Sequence, residues 1–146
     1  MEIARLGPGD ANALGDLNRF FARVFPDPEL LDHPGLEDDA ASLWLADERN
    51  VALVARAGDA IVGGLVAYRL DKIEGRREFY LYDLAVDEGY RRRGIATALI
   101  GELQNIARAA GSWMIFVQAD YGDDPAVALY EKLGVREDVM HFDIVP

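Results

Sequence analysis

The sequence predicts an α+β (or α/β) fold, in which one layer of mixed β-sheet carries helices on both faces. Two apolar strands flank a short turn around Gly58-Asp59, as in an antiparallel hairpin. The second half of the chain alternates strand and helix, which is typical of a parallel β–α–β connection. A length of 146 residues, 51% hydrophobic and 28% charged, suits one domain with its own core, spanning residues 1–146.

The first half of the chain reads as a strand, two helices and the hairpin. The expected elements are a strand at 2–6, helices at 10–25 and 37–46, and strands at 51–56 and 60–70. Asp10 suits the N-cap of the first helix, because its carboxylate can accept a hydrogen bond from a free helix amide. Apolar residues line one face of that helix (Leu14, Leu17, Phe21 and Val24). The second helix is expected to bury Leu43, Trp44 and Leu45.

The second half of the chain supplies the parallel part of the sheet. The expected elements are strands at 78–86, 113–119 and 139–145, and helices at 94–110 and 125–133. Pro125 occupies the first position of the last helix, where a missing amide proton costs nothing. Gly134 stands where that helix should end.

The charge balance argues against several classes of partner. A net charge of −11, from 26 acidic and 15 basic residues, disfavours nucleic acid, whose binding depends on basic side chains. The same charge attracts small polycations. Residues 26–48 carry eight acids and no Lys or Arg, although a solvated acidic surface explains that segment equally well.

Other classes of site are also disfavoured by composition. The chain has no cysteine, and His33 and His141 lack metal-ligand spacing, so no metal is expected. No run approaches the ~20 apolar residues needed to span a bilayer, and the N-terminus has no signal-peptide pattern. We therefore expect a cytoplasmic protein that does not bind membranes.

One short run, Tyr90-Arg91-Arg92-Arg93-Gly94-Ile95-Ala96, links an apolar strand to an amphipathic helix. The first amides of a helix have no partner within the helix, and its dipole adds partial positive charge. Three of the fifteen basic residues are gathered at this point. The run therefore predicts a pyrophosphate site, the alternative being an ordinary strand–turn–helix with solvated arginines.

The pattern Arg91-x-x-Gly94-x-Ala96, with the later segment 126–134, resembles the GNAT (Gcn5-related N-acetyltransferase) superfamily. Residues 82–86, the acidic block 117–130 and residues 139–144 are similar to the aminoglycoside 3-N-acetyltransferases of the gentamicin type. The resemblance is strongest from Glu78 onward and looser before it. It implies the GNAT fold: a mixed, mostly antiparallel central sheet with two splayed parallel strands and helices on both faces.

The resemblance implies acetyl-CoA as cosubstrate. Its pantetheine arm would lie between the strands ending at Val86 and Ala119 and pair with the backbone of Leu84, Ala85 and Val86. Its diphosphate would lie on the Arg-rich turn and the helix start. The residues expected there are Arg91, Arg92, Arg93, Gly94, Ile95, Ala96 and Thr97. Asp123 is a further expected cofactor contact, although many family members have Asn there and an ionised Asp cannot donate a hydrogen bond.

The resemblance also assigns the chemistry. Tyr130 matches the family tyrosine that protonates the departing thiolate, although its apolar helix face also suits a core aromatic residue. Asp83, the lone carboxylate in an apolar strand, is the favoured base, because partial burial raises the pKa of a carboxyl group. Alternatives are a structural Asp83, a water chain oriented by Asp83, Asp120 and, less favoured, Glu78.

Carboxylates are expected to bind a polycationic amine substrate. The candidates besides Asp83 are Asp120, Tyr121, Asp124 and Asp143, with segment 26–39 as a further wall. By resemblance the reaction is acetylation of the 3-amino group of an aminoglycoside antibiotic, which confers resistance. Two alternatives remain open: acetylation of polyamines or other small polycations, and a non-catalytic CoA-binding sensor. Family members often dimerise, so a homodimer is also expected.

Overall fold

The computed structural model describes residues 1–146, apart from the side chain of Leu31. Its helices and strands follow the predicted order closely. They are β1 (Glu2–Arg5), α1 (Ala11–Val24), α2 (Asp38–Ala46), β2 (Asn50–Ala57), β3 (Ala60–Asp71), β4 (Arg77–Val86), α3 (Ile95–Ala109), β5 (Met114–Val117) and α4 (Asp124–Leu133). Two 3₁₀ turns that the sequence did not predict cover Pro28–Asp32 and Glu88–Tyr90.

The five strands form one sheet in the order β1-β2-β3-β4-β5. The pairs β1–β2, β2–β3 and β3–β4 are antiparallel, and the pair β4–β5 is parallel. Two apolar cores cover the two faces: one packs α1 and α2 on the sheet, and the other packs α3 on the opposite face. This arrangement confirms the predicted mixed, mostly antiparallel GNAT fold of the α+β class.

The parallel pair separates partway along β4. Pairing runs only from Glu78 opposite Met114 to Leu81 opposite Val117, whereas β4 continues to Val86. The last five residues of β4 therefore have β3 on one side and no strand on the other. The predicted splay is confirmed, and it opens a gap at the carboxyl ends of the two strands.

A β-bulge in β4 lies at the start of this gap. Ala67 of β3 is opposite Leu81, but the next residue back, Val66, is opposite Asp83, so Tyr82 is the extra residue. A bulge turns two consecutive side chains toward one face and increases the local twist. Tyr82 and Asp83 thus both lie on the face that carries α1 and α2.

Two glycines let helices approach the sheet closely beside the gap. A Cβ added at Gly63 would lie 2.8 Å from Cγ2 of Ile95, the first residue of α3. A Cβ added at Gly64 would lie 2.3 Å from Cδ1 of Leu17 in α1. Because Gly63 is opposite Val86 in the sheet, the start of α3 is held next to the open end of β4.

Some local predictions differ from the structure. Leu43, expected to be buried, is 75% exposed, because α2 is short and buries only Ala41 and Leu45, which are four residues apart. Asp10 is the N-cap residue of α1, but its carboxylate accepts a hydrogen bond from the amide of Gly7 at 2.7 Å, not from the helix.

The predicted strand at 139–145 is wrong. Residues 134–146, which we call the C-terminal arm, form neither helix nor strand, and all of them are exposed. The alternating apolar pattern is present, but a strand also needs a neighbouring strand, and the arm pairs with none in the described chain. Within that chain, no helix has the length and apolarity required to traverse a bilayer.

Candidate active site

The Arg-rich turn leads directly into α3 with a distinctive backbone. Arg92 has φ 63° and Gly94, the N-cap of α3, has φ 77°. Residues in the left-handed region turn successive peptide amides toward one side, which forms a concave site for anions. Because Gly94 has no side chain, it leaves the first amides of α3 without a side-chain acceptor.

The three arginine side chains remain available around that turn. Arg91, Arg92 and Arg93 are exposed, and none forms an ion pair with a carboxylate among the described side chains; Arg91 Nε donates a long hydrogen bond to the Val86 carbonyl at 3.5 Å. The Arg93 guanidinium lies 4.9 Å from the ring centre of Tyr90. Amides, helix dipole and guanidinium groups together provide the donors that a diphosphate requires.

The open edge of β4 joins this turn to the gap. Leu84, Ala85 and Val86 are half-buried and pair with β3 on one side only. Backbone groups on the other side have no strand partner, so they can pair with an extended, amide-containing ligand. The structure therefore brings together the predicted cofactor residues of β4 and those of the turn.

Asp83 lies on the α1/α2 face at the mouth of the gap. It is half-buried, and this burial raises the pKa of its carboxyl group. No described residue donates a hydrogen bond that stabilises the carboxylate, which argues against a purely structural, satisfied Asp83. A raised pKa and a free acceptor are the properties that a general base needs.

A row of aromatic side chains, which sequence reasoning missed as part of the site, surrounds Asp83. The ring centre of Tyr82 lies 5.8 Å from that of Tyr68 and 5.1 Å from that of Tyr80. Tyr80 stacks on Phe116 with ring centres 4.6 Å apart. The Tyr80 hydroxyl donates to Oε1 of Gln118 at 2.8 Å. The alternation Tyr80-x-Tyr82 could have indicated a shared face.

The negative charge of Asp83 affects the pKa of two of these tyrosines. Burial raises the pKa of Tyr68 and of Tyr80, and the carboxylate of Asp83 contributes to both shifts. Aromatic faces next to a carboxylate form a suitable environment for an ammonium group, which is attracted to both.

Tyr130 lies on the opposite face of the sheet. It is half-buried on α4 and packs against the α3-side core, as do Leu84 and Val86. Burial raises the pKa of its hydroxyl, and the nearby carboxylate of Asp123 raises it further. The hydroxyl is therefore protonated at neutral pH and can donate a proton.

Asp123 itself begins α4. Its carboxylate accepts a hydrogen bond from the amide of Ala126 at 3.3 Å, as an N-cap does. The structure thus gives the side chain a local role in addition to the predicted cofactor contact, and its charge reaches Tyr130.

The remaining acidic candidates are distributed around the end of β5. Asp120 is exposed in the loop that leads to α4, and Asp124 is the exposed first residue of that helix. Tyr121 is exposed too, and its hydroxyl donates to Oδ1 of Asp138 at 3.2 Å. The loop therefore lies at the mouth of the gap, with Tyr121 linked to the start of the C-terminal arm.

Two predicted residues are not brought to the gap. Glu78 lies at the paired end of β4, opposite Met114 and 4.0 Å from Nζ of Lys72. Asp143 lies on the exposed arm and contacts His141 at 2.8 Å. Among the residues that the structure describes, no three His, Asp or Glu side chains form a group able to hold a metal ion.

Comparisons with solved structures give two strong similarities. The chain superposes on the aminoglycoside acetyltransferase HMB0005, from an uncultured soil metagenomic sample, with a TM-score of 0.94 and 43% identity, covering 99% of this chain and 97% of the other. It superposes on meta-AAC0020, an aminoglycoside acetyltransferase from a similar source in complex with sisomicin, with a TM-score of 0.89 and 30% identity, covering 99% and 95%.

Comparisons with curated proteins give more distant relatives. The chain is 32% identical over 85 residues to the probable N-acetyltransferase san of Drosophila melanogaster, covering 58% of this chain and 46% of that protein. It spans 24 to 47% of the length of three such relatives.

Residues 15–135 match the model of the acetyltransferase (GNAT) family. With this match extending from α1 through α4, the chain belongs to the GNAT acetyltransferase family.

Proposed function

We propose that this protein is an aminoglycoside 3-N-acetyltransferase, which transfers the acetyl group of acetyl-CoA to the 3-amino group of gentamicin-class antibiotics and so confers resistance in the cytoplasm. The observation that carries the proposal is the gap between β4 and β5. A candidate base, Asp83, lies on one face of the sheet beside the gap, and a candidate acid, Tyr130, packs on the other. An anion site lies at the end of the gap.

The residues on the donor side fit acetyl-CoA. The amides of α3 and the three arginines provide charge-assisted donors for the diphosphate, and the open edge of β4 provides backbone partners for the pantetheine amides. The bound cosubstrate supplies an acetyl group activated as a thioester.

The chain's own residues then transfer protons to and from the reacting groups. Asp83 takes one proton from the substrate ammonium, which leaves a free amine that can form a bond with the acetyl carbon. As the carbon–sulfur bond breaks, Tyr130 gives its hydroxyl proton to the departing thiolate. The nitrogen loses its second proton as the amide forms, and that proton passes through solvent to the tyrosinate. Asp83 releases its own proton to solvent, so both side chains are restored.

The acceptor side fits a polycationic sugar. Tyr80 and Tyr82 present aromatic faces beside Asp83, which favour both sugar C–H surfaces and ammonium groups. Asp120 and Asp124 add carboxylates at the mouth of the gap. The two similar aminoglycoside acetyltransferases, one of them bound to sisomicin, support this substrate class over linear polyamines.

Release of free thiol from acetyl-CoA tests the proposal. We expect turnover with gentamicin-class compounds to exceed that with spermidine or peptide amines, and NMR of the product to place the acetyl group on the 3-amino nitrogen. Preference for spermidine would support the polyamine alternative. Saturable acetyl-CoA binding with no turnover of any amine would support a sensor.

Replacement of Gly94 by Val tests the anion site. The change places a branched side chain, with φ near 77°, against the first amides of α3. We expect calorimetry to show a loss of acetyl-CoA affinity of at least 100-fold, because the amides can no longer approach a phosphate.

Gly111 provides a matched control for backbone strain. It lies just beyond the other end of α3, has φ 70°, and an added Cβ has nothing within 4 Å, as at Gly94. Gly111→Val should therefore lower the melting temperature about as much as Gly94→Val does, since a left-handed residue costs about 1–2 kcal/mol. Acetyl-CoA should still bind to it normally. Equal loss of affinity in both variants would show that strain, not the anion site, explains the effect.

A further inference from the structure

We propose that Gln118 helps to select the acceptor: its side-chain amide donates hydrogen bonds to an oxygen atom of a sugar, whether a hydroxyl, ring or glycosidic oxygen. This inference deepens the proposed function and rests on it, because it names a contact with the acceptor. Gln118 binds the acceptor and takes no part in proton transfer, so its role can be tested without turnover.

Gln118 lies where the two parallel strands separate. Val117, the last residue of β5, is opposite Leu81 of β4, and Gln118 follows Val117 directly. From this point β4 continues to Val86 without a parallel partner. Gln118 is therefore at the narrow end of the gap, and it is exposed there.

The side chain of Gln118 is on the face of the sheet that carries Asp83. Tyr80 contacts two residues of the neighbouring segment: its ring stacks on Phe116, with centres 4.6 Å apart, and its hydroxyl donates to Oε1 of Gln118 at 2.8 Å. Tyr80 and Asp83 both lie on the α1/α2 face, since their partners in β3 pack in the core beneath those helices. The Gln118 amide is thus on the acceptor side of the gap.

The contact with Tyr80 decides which end of the amide remains available. Tyr80 packs between Phe116 and Tyr82, whose ring centres lie 4.6 and 5.1 Å from its own, so the position of its hydroxyl is fixed. Burial, with the neighbouring Tyr82 and Asp83, raises the pKa of Tyr80, and the hydroxyl is therefore protonated at neutral pH. Oε1 of Gln118 accepts that proton donor, and no described residue accepts from Nε2. Two N–H donors are left for a bound molecule.

The described side chains around this amide mainly accept hydrogen bonds. The carboxylates of Asp83, Asp120 and Asp124 only accept when they are ionised, which suits the ammonium and hydroxyl protons of an aminoglycoside. The hydroxyl of Tyr82 both donates and accepts. An aminoglycoside also carries hydroxyl and ether oxygens whose lone pairs require donors, and Nε2 of Gln118 supplies two.

This division of donors and acceptors favours a sugar over a linear polyamine. Spermidine carries ammonium groups but no oxygen, so it is attracted by the carboxylates and gains nothing from Gln118. A site that hydrogen-bonds one polar group of its substrate discriminates against a molecule that lacks the group. Gln118 therefore separates the two acceptor classes that net charge alone does not.

Calorimetry of acceptor binding to the full chain with CoA bound tests this role. Gln118→Met keeps the length of the side chain and removes both donors. We expect it to weaken binding of gentamicin-class compounds about 3- to 10-fold, the usual contribution of a neutral hydrogen bond, and to leave spermidine binding within about twofold. In turnover experiments KM for the aminoglycoside should rise by the same factor, whereas kcat should stay within about twofold.

Two further variants complete the experiment. Gln104→Met makes the same change at an exposed position on α3 and should leave the binding of both acceptors unaltered. Tyr80→Phe keeps the stacked ring but removes the hydroxyl that orients the amide, so it should weaken aminoglycoside binding by a smaller factor than Gln118→Met. When the two changes are combined, the loss should equal that of Gln118→Met alone, because both act on one contact. Gln118→Ala, checked by thermal melting, repeats the test without a long side chain.

The outcomes separate this role from the proposed function. Unchanged aminoglycoside binding in both Gln118→Met and Gln118→Ala, equal weakening of aminoglycoside and spermidine, or additive effects of Tyr80→Phe and Gln118→Met would each overturn the role of Gln118. Aminoglycoside binding with the expected losses but without acetyl transfer would overturn the proposed function alone. If the original protein bound no aminoglycoside, both would be wrong.

Discussion

Replacing Tyr130 with Phe is expected to lower kcat by about 10²–10⁴-fold, the usual contribution of a positioned proton donor. The change removes only the hydroxyl and keeps the ring that packs against the α3-side core. Acetyl-CoA affinity, measured by calorimetry, should therefore stay within about twofold of the original. Burial and the charge of Asp123 raise the pKa of Tyr130, so the hydroxyl is protonated across the neutral range and its loss cannot be replaced by a pH change.

Thermal melting provides the control for this variant. Tyr130 is half-buried, and the hydroxyl makes no hydrogen bond with a described residue, so Phe should preserve the melting temperature. An equal fall in kcat and acetyl-CoA affinity, or a marked fall in melting temperature with both, would identify Tyr130 as a packing residue.

The order and bounds of most elements could be predicted because local signals agree with tertiary packing. The helix after Gly94 illustrates this: its apolar face, its glycine N-cap and the Arg-rich turn all indicate the same boundary, and α3 begins at Ile95. The proposed anion site was predicted from the same residues, since a helix start needs no distant partner to expose its amides.

The face on which Asp83 lies could not be predicted. Strict alternation along β4 would place Asp83 opposite Tyr82, but the bulge at Tyr82 puts both side chains on one face. A bulge depends on how β3 and β4 pair, which is a tertiary property. The aromatic row around Asp83 was missed for the same reason, because Tyr68 and Phe116 come from strands on either side of β4.

The arm shows a second limit of sequence reasoning. Residues 139–145 alternate as a strand should, and the pattern alone cannot say whether the required neighbour lies in the same chain. In the single chain the arm stays exposed. A correct local preference thus produced an incorrect element.

Replacing Asp83 with Asn is expected to have the second large effect, a fall in kcat of about 10²–10⁴-fold at neutral pH. Without the base, only the free-amine fraction of the substrate can react. The kcat of the variant should therefore rise as pH approaches the pKa of the amine. In the proposed mechanism the original protein needs ionised Asp83, so its activity should fall as pH drops through the raised pKa of that carboxyl group. The ratio of the two rates should therefore be greatest at the acidic end of the neutral range.

Asp83→Asn should affect stability in the opposite direction to its effect on kcat. Burial raises the folded-state pKa of Asp83 above its unfolded value, so the folded protein favours the protonated form and ionisation at pH 7 costs stability. Asp83→Asn should keep or raise the melting temperature at pH 7, and the advantage should shrink as pH falls through that pKa.

Asp120→Asn and Glu78→Gln serve as comparators for the two alternative bases. If the pH–rate profile stays unchanged in Asp83→Asn but changes in Asp120→Asn, the base is Asp120; a change only in Glu78→Gln would assign it to Glu78.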